Sequence, residues 1–118
     1  MSLEWEQTIV EARAPDALGR WWQQALGWVV VNADPGEYEI RPGRDRFPGL
    51  LFVPVEEPKT VKNRLHLDFR PDDQGAEVER LLGLGATRAD VGQGEQSWVV
   101  LADPEGNEFC VLAPGRGL

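Results

Sequence analysis

The second half of this chain repeats the first at one constant spacing. The pair Leu26-Gly27 aligns with Leu84-Gly85, and the same spacing aligns Val53 with Val111. A repeat of this length indicates that one supersecondary unit occurs twice. Two copies of an α+β unit that face each other would leave a groove between them. We therefore expect the residues of a binding site to follow from a comparison of the two copies.

Length and charge narrow the class of protein. The 118 residues match the size of one domain, 1–118. The formal net charge is −8, and the sequence contains no basic stretch. Nucleic acid and an anionic membrane surface are therefore not expected as partners. Residues 1–9 are charged and lack the apolar segment of a signal peptide, and the single cysteine fits a reducing compartment. We expect a cytoplasmic protein.

The first module, residues 3–55, is predicted to contain one helix and four strands. Pro15 suits a first helical turn, and Gly27 suits the position just after a helix. Between them, apolar residues recur with the spacing of one helix face: Leu18, Trp21, Trp22, Ala25 and Leu26. The predicted strands are residues 5–12, 28–32, 37–41 and 50–55.

The second module, residues 63–114, follows a proline-containing linker at 56–62 and is predicted to have the same βαβββ order. Residues 64–70 alternate strictly between polar and apolar, which indicates a half-buried strand. Asp72 or Asp73 can cap the next helix. The later predicted strands are residues 86–89, 97–102 and 108–112, and residues 103–106 match a type I turn.

Strand alternation assigns side chains to faces of the predicted sheets. Leu65, Leu67 and Phe69 are predicted to face the helix, so His66 and Asp68 face the other way. The same alternation places Cys110 and Glu108 on the face of His66. The repeat spacing that relates Gly27 to Gly85 then adds two residues of the first module. The predicted set at symmetry-related positions is Thr8, Phe52, His66 and Cys110.

Several segments then occur in a characteristic order: Pro15-Asp16-Ala17-Leu18, Trp21-Trp22, Leu26-Gly27-Trp28, Lys62-Asn63-Arg64-Leu65-His66-Leu67-Asp68, Leu84-Gly85-Ala86 and Asp103-Pro104-Glu105-Gly106-Asn107-Glu108-Phe109. In this order and spacing the chain resembles the vicinal oxygen chelate superfamily, the glyoxalase/bleomycin-resistance fold, and most closely its small glyoxalase-like branch. The resemblance covers nearly the whole chain. It implies an α+β fold in which two tandem βαβββ modules form a curved, half-open mixed sheet with helices on the outer face.

The resemblance also locates a metal site. Metal-dependent members hold one divalent ion with four side chains, usually His, Gln and Glu, from the first and last strands of each module. Those places correspond here to Thr8, Phe52, His66 and Cys110. Phe52 cannot bind a metal, Thr8 is a poor ligand, and Cys110 is soft where the family offers a carboxylate. We expect no metal and no cofactor; any metal would use His66 with Cys110 or Glu108.

The candidate ligand-binding residues are those predicted to line the groove: Glu6, Thr8, Trp28, Phe52, His66, Asp68, Trp98, Cys110 and Glu108. His66, the only histidine, is also the candidate acid or base for catalysis. Each assignment has a structural alternative. His66 can be satisfied by Asp68, Asp68 can belong to a surface ion-pair ladder, and Glu6 and Glu108 can be ordinary exposed carboxylates. Cys110 can be a small buried hydrophobe or, paired with His66, a nucleophile.

Three classes of function fit these residues. The first is a metal-independent small-molecule binding protein that sequesters an aromatic antibiotic or metabolite. The second is an enzyme of the same superfamily, a lyase, isomerase or dioxygenase, with a non-standard metal site or a His66–Asp68 acid/base pair. The third is an interaction module without a small ligand. The resemblance also implies a homodimer.

Overall fold

A computed structural model describes residues 2–94 and 96–114, and the chain divides between Pro58 and Lys59 into two compact units. Within the described residues, each unit contains one helix and a four-stranded mixed sheet. The predicted α+β class, with two tandem modules and open sheets, is therefore confirmed. The predicted domain 1–118 also includes Met1, Glu95 and residues 115–118, which lie outside the described residues. Neither helix among the described residues is both long and apolar enough to cross a membrane.

The first unit has the predicted order of elements. Its elements are β1 (Gln7–Ala12), α1 (Pro15–Leu26), β2 (Val29–Asn32), β3 (Tyr38–Arg41) and β4 (Gly49–Pro54). The strands lie in the order β1-β4-β3-β2, with β1 parallel to β4 and the other pairs antiparallel. Parallel strands cannot be joined by a tight turn. The connection from β1 to its parallel partner β4 is therefore long, and it contains helix α1.

Residues next to the ends of helix α1 in the sequence determine where the helix begins and ends. Pro15 occupies its first turn together with Asp16, and Gly27 follows it in the left-handed conformation with φ of 67°. The predicted apolar face is buried at Leu18, Trp21, Trp22 and Ala25. The helical periodicity therefore correctly predicts which face of α1 packs on the sheet.

Contacts with Tyr38 identify the sheet face that α1 covers. The Tyr38 ring lies against Gly19, where an added Cβ would stand 2.2 Å from the ring carbon Cδ1. The Tyr38 hydroxyl donates a hydrogen bond of 2.9 Å to Oε1 of Gln23, also on α1. Every residue paired directly opposite Tyr38 in the sheet therefore shares the helix-covered face.

This register corrects the predicted placement of Thr8 and Phe52. Phe52 is the direct partner of Tyr38, and it is 0% exposed. Thr8 pairs with Leu50, the second residue before Phe52 on β4. Both side chains therefore lie on the helix-covered face, and their predicted position on the opposite face is wrong.

The physical reason is that strand register differs between the two repeats. The helix ends, Gly27 and Gly85, keep the spacing that the sequence repeat predicts. At this spacing the helix-covered pair of Val10 and Phe52 corresponds to the pair of Asp68 and Cys110, which lines a cavity of the second unit instead of facing its helix. A difference in register of a single position is enough to move every side chain of a strand to the other face.

The second unit repeats this architecture with shorter strands. Its elements are β5 (Leu67–Phe69), α2 (Gln74–Leu84), β6 (Thr87–Arg88), β7 (Val99–Ala102) and β8 (Glu108–Val111). The strand order is β5-β8-β7-β6, with β5 parallel to β8. Asp73 caps α2, as predicted, because its Oδ1 accepts a hydrogen bond of 3.0 Å from the Ala76 amide.

Strand β5 is shorter than the alternating pattern predicts. The predicted strand 64–70 is reduced to Leu67–Phe69, and Leu65, predicted to face the helix, is 87% exposed. The pairing of β5 begins with Leu67 opposite Phe109, and the carbonyl of the preceding β8 residue, Glu108, accepts a hydrogen bond of 3.2 Å from the Asn63 side chain. Among the described strands, Arg64 to His66 therefore have no ladder partner, and alternation alone does not form a strand.

Candidate functional site

A cavity of about 390 Å³ lies within the second unit, beside β5, β7 and β8. Its lining residues are Lys62, His66, Asp68, Val91, Gly92, Gln93, Trp98, Val100, Cys110 and Leu112. A volume of several hundred Å³ is typical of sites for small organic ligands. Apolar side chains together with a few polar ones are also the usual composition of such a site.

The register of three neighbouring strands places the inner side chains of the cavity. Asp68 on β5 pairs with Cys110 on β8, and Cys110 pairs in turn with Val100 on β7. Paired residues project from the same face of a sheet. Cys110 and Val100 are 4% and 3% exposed, so they form the floor of the cavity, whereas Trp98 is 37% exposed and forms part of its edge.

The Cys110 thiol is held in its protonated form. Burial raises its pKa to about 11, and the charge of the Asp68 carboxylate, which also accepts a hydrogen bond from the thiol, acts in the same direction. The thiolate is the reactive and metal-binding form of cysteine. At neutral pH Cys110 is therefore a poor nucleophile and a poor metal ligand.

Four of the predicted site residues meet in this cavity: His66, Asp68, Trp98 and Cys110. His66 is exposed and lies just before β5, close to Asp68 along the chain. Their common location agrees with the strand alternation around residue 68. Their roles in binding or catalysis remain predictions.

Sequence reasoning misses the cavity residues that come from irregular segments. Lys62 belongs to the predicted linker, and Val91, Gly92 and Gln93 come from the connection between β6 and β7. Side-chain Oε1 of Gln93 accepts a hydrogen bond of 2.9 Å from the Val91 amide, which fixes this turn locally. The sequence signal for this segment is its pair of glycines, Gly92 and Gly94. Glycines indicate a turn, but they do not indicate which part of the protein the turn contacts.

The other predicted residues do not line this cavity. Thr8 and Phe52 lie on the helix-covered face of the first unit, as described above. Glu6 lies 3.9 Å from the guanidinium of Arg41 through its Oε2. Trp28 directly precedes β2 in the first unit and is half-buried.

Glu108 is engaged with neighbouring residues rather than with the cavity. Its Oε1 lies 2.8 Å from Nζ of Lys59 and accepts a hydrogen bond of 3.1 Å from the Asn63 amide. Burial by itself would raise the pKa of Glu108, but the hydrogen bonds from Lys59 and Asn63 and the lysine charge outweigh it and lower the pKa. Glu108 is therefore a charged structural group at neutral pH.

The donor atoms do not fit a metal ion. Among residues 2–94 and 96–114, no group of three or more His, Cys, Asp or Glu side chains could hold one. On the face of β4 that points away from α1, the first unit presents Gly49, Leu51 and Val53. The Leu51 side chain offers no donor atom, and Cys110 is a thiol rather than a thiolate.

Comparison with known proteins agrees with this architecture. A family model described as a glyoxalase-like domain matches residues 7–112 of the chain. No curated protein sequence matches the chain significantly.

Solved structures resemble the chain over nearly its whole length. A glyoxalase/bleomycin resistance protein/dioxygenase family enzyme from Burkholderia phytofirmans superposes with a TM-score of 0.73 at 18% identity, covering 94% of this chain and 98% of its own. TnmS3, an antibiotic binding protein from a Streptomyces species, gives 0.65 at 17% identity, with coverages of 98% and 99%. The fosfomycin resistance protein FosX from Mesorhizobium loti gives 0.66 at 18% identity, with coverages of 98% and 93%. At these identities the likeness shows a shared fold.

Proposed function

Because the chain belongs to the glyoxalase-like domain family, which matches residues 7–112, we propose that it binds a small molecule in the cavity of its second unit, without a metal and without a covalent step. The cavity of about 390 Å³ supports this proposal, since its size suits a compact organic ligand. The similar fold of an antibiotic binding protein supports an antibiotic as the class of ligand, and Trp98 at the edge of the cavity supports an aromatic molecule.

The residues that line the cavity indicate which chemical features a ligand would have. Trp98 offers a flat aromatic surface at the edge, and Val100, Cys110 and Leu112 offer apolar contacts. Aromatic rings pack on such surfaces in stacked or edge-on arrangements. Polar side chains of the lining supply hydrogen-bonding groups of different charge: His66, Asp68 and Lys62. A planar molecule with polar substituents on one edge would satisfy both surfaces.

The observation that carries the proposal is the state of Cys110. This side chain lies on the floor of the cavity. A covalent mechanism would need Cys110 as a thiolate nucleophile, and a metal would need it as a thiolate ligand. Its pKa of about 11 keeps it protonated. Reversible binding needs neither form and is therefore the function that this lining supports best.

The test is a fluorescence titration of the full chain with planar antibiotics and aromatic metabolites. We expect at least one compound to quench tryptophan emission, and we expect Trp98→Phe to weaken its binding by about twofold to threefold, since phenylalanine keeps an aromatic ring but offers a smaller surface and no indole N–H. Trp5→Phe is the matched control, because Trp5 is 65% exposed and lies in the other unit. Equal binding by wild type and Trp98→Phe would contradict the assignment to this cavity.

An enzymatic function is the second candidate, and one observation favours it. His66 and Asp68 line the same cavity, so an acid/base pair could act on one bound substrate. The similar structure from Burkholderia phytofirmans is described as a family enzyme. Turnover of an α-ketoaldehyde–thiol adduct that disappears in His66→Ala would establish this alternative over reversible binding.

We further propose that the protein is a cytoplasmic homodimer, as the resemblance to its family implies. Light scattering on the purified full chain tests the assembly, with about twice the monomer mass of 13.2 kDa expected. A monomer mass at micromolar concentration would contradict it.

A further inference from the structure

The segment 59–66, here called the strap, carries two of the polar residues of the cavity. Lys62 and His66 both line the cavity, and the strap leads directly into β5. No residue of the strap belongs to a helix or a strand. Contacts outside regular secondary structure must therefore fix the positions of Lys62 and His66.

The contacts that fasten the strap converge on one residue of β8. Nζ of Lys59 lies 2.8 Å from Oε1 of Glu108 and donates to Oε2 at 3.2 Å. The Asn63 amide donates to Oε1 at 3.1 Å, and Nδ2 of Asn63 donates to the Glu108 carbonyl at 3.2 Å. Glu108 thus holds the strap at two points, one on each side of Lys62.

Burial makes these contacts stronger than an ordinary surface pair. The side chains of Lys59 and Glu108 are only 18% and 11% exposed. An ion pair in such a place resists screening, and removal of one partner leaves the other charge poorly solvated. Nζ of Lys59 also donates to the Val61 carbonyl, which ties the lysine to the strap itself.

We propose that Glu108 is a positioning residue, which by fastening the strap to β8 sets where Lys62 and His66 stand at the cavity. Both of its carboxylate oxygens contact the strap, so it acts through the strap and not by touching the ligand. The importance of this role for ligand binding rests on the proposed function. The placement of the strap does not, and it can be measured without any ligand.

Cys110 provides a reporter for the strap. It is the only cysteine of the sequence and lies on the floor of the same cavity, so the rate of its alkylation by N-ethylmaleimide depends on how open the cavity is. We expect Glu108→Gln to raise this rate about tenfold, because charge-assisted hydrogen bonds to the strap are lost. Burial is the main cause of the raised pKa of the thiol, so an opened cavity increases both the access of the reagent and the thiolate fraction, and both changes raise the rate.

Glu77→Gln is the matched control. Glu77 also forms an ion pair, at 2.7 Å to Arg80, but it lies on α2 and contacts no residue of the strap through that pair. The control removes the same charge and is expected to leave the alkylation rate unchanged. An unchanged rate in Glu108→Gln, or an equal rise in both variants, would overturn the proposal.

A spectroscopic measurement separates positioning from general destabilisation. In Glu108→Gln we expect the amide resonances of Lys62 and His66 to shift, while those of β6 and of β7, apart from Ala102 directly opposite residue 108, stay near their wild-type positions. Lys59→Met, which leaves Glu108 in place, is expected to shift the same strap resonances by a smaller amount. If strap resonances do not move in either variant, or if all resonances of the unit move together, Glu108 does not act as proposed. A failed ligand screen would contradict the proposed function and leave these results unaffected.

Discussion

At the scale of single residues, Asp103 organises the turn that joins β7 to β8. It is 3% exposed, and its Oδ1 accepts hydrogen bonds from the amides of Glu105 and Asn107 at 2.9 and 3.0 Å. The Asn107 side chain donates to both carboxylate oxygens. The predicted turn with Asp at its first position therefore forms, and it sets the start of β8 and hence the position of Cys110.

Replacement of Asp103 by alanine should destabilise the protein strongly. We expect Asp103→Ala to lower the free energy of unfolding by about 1–3 kcal/mol, because several part-buried donors lose their acceptor. Urea unfolding measures this change. Asp90→Ala is the control, since Asp90 accepts a hydrogen bond of 2.8 Å from Gly92 in an exposed turn. Equal losses in the two variants would contradict the importance assigned to burial.

Glu108 should make the stability depend on pH. Its pKa is lowered in the folded protein from an ordinary value of 4.5. The stabilisation is therefore fully present above about pH 5 and is lost as the pH falls through the lowered folded-state pKa. Urea midpoints measured from neutral to acidic pH should fall less steeply for Glu108→Gln than for wild type. Parallel curves for the two proteins would show that Glu108 does not contribute this dependence.

At the scale of elements, the two helices use glycine in opposite ways. Gly19 lets α1 approach the Tyr38 ring, since an added Cβ would come within 2.2 Å of it. On α2, a Cβ added at Gly83 would meet no described atom within 4 Å. Glycine inside a helix is otherwise unfavourable relative to alanine.

Matched alanine substitutions should consequently have opposite signs. Gly19→Ala is expected to lower the free energy of unfolding by about 1–3 kcal/mol through overpacking. Gly83→Ala is expected to raise it by about 0.5–1 kcal/mol through helix propensity. Thermal unfolding of the two variants tests both signs. Stabilisation by Gly19→Ala would mean that α1 does not pack closely on Tyr38.

Strand lengths and registers show where local patterns stop being informative. The alternation at 64–70 is regular, yet only Leu67–Phe69 form β5, because only these residues of the described segment pair with β8. In contrast, the ends of the helices follow from Gly27, Asp73 and Gly85, as the sequence predicts. Capping depends on neighbours along the chain, whereas strand formation depends on a partner that is distant in sequence.

At the scale of the whole molecule, the duplicated module has kept its architecture but does not carry the donor atoms of a metal site in both copies. The residues of β4 that point away from α1 are Gly49, Leu51 and Val53, and none of their side chains carries a donor atom. We expect protein purified without chelators to contain far less than one equivalent of divalent metal, as measured by elemental analysis. Near-stoichiometric metal would contradict the reversible, metal-independent mechanism.

The sequence by itself determined the α+β class, the two tandem modules, the helices with their caps and the turn at Asp103. These features depend on periodicity and on contacts between near neighbours, which a linear pattern records. It also brought His66, Asp68 and Cys110 to one face, because their alternation is read within the second unit.

The tertiary structure alone decided the rest. Phe52 lies under α1 because its partner in the sheet is Tyr38, whereas Cys110, which the repeat spacing aligns with Phe52, lines the cavity of the second unit. Lys62 and Gln93 reach the cavity from irregular segments. Register and loop placement arise from pairings between residues far apart in the chain, and an error by a single position there reverses a whole face.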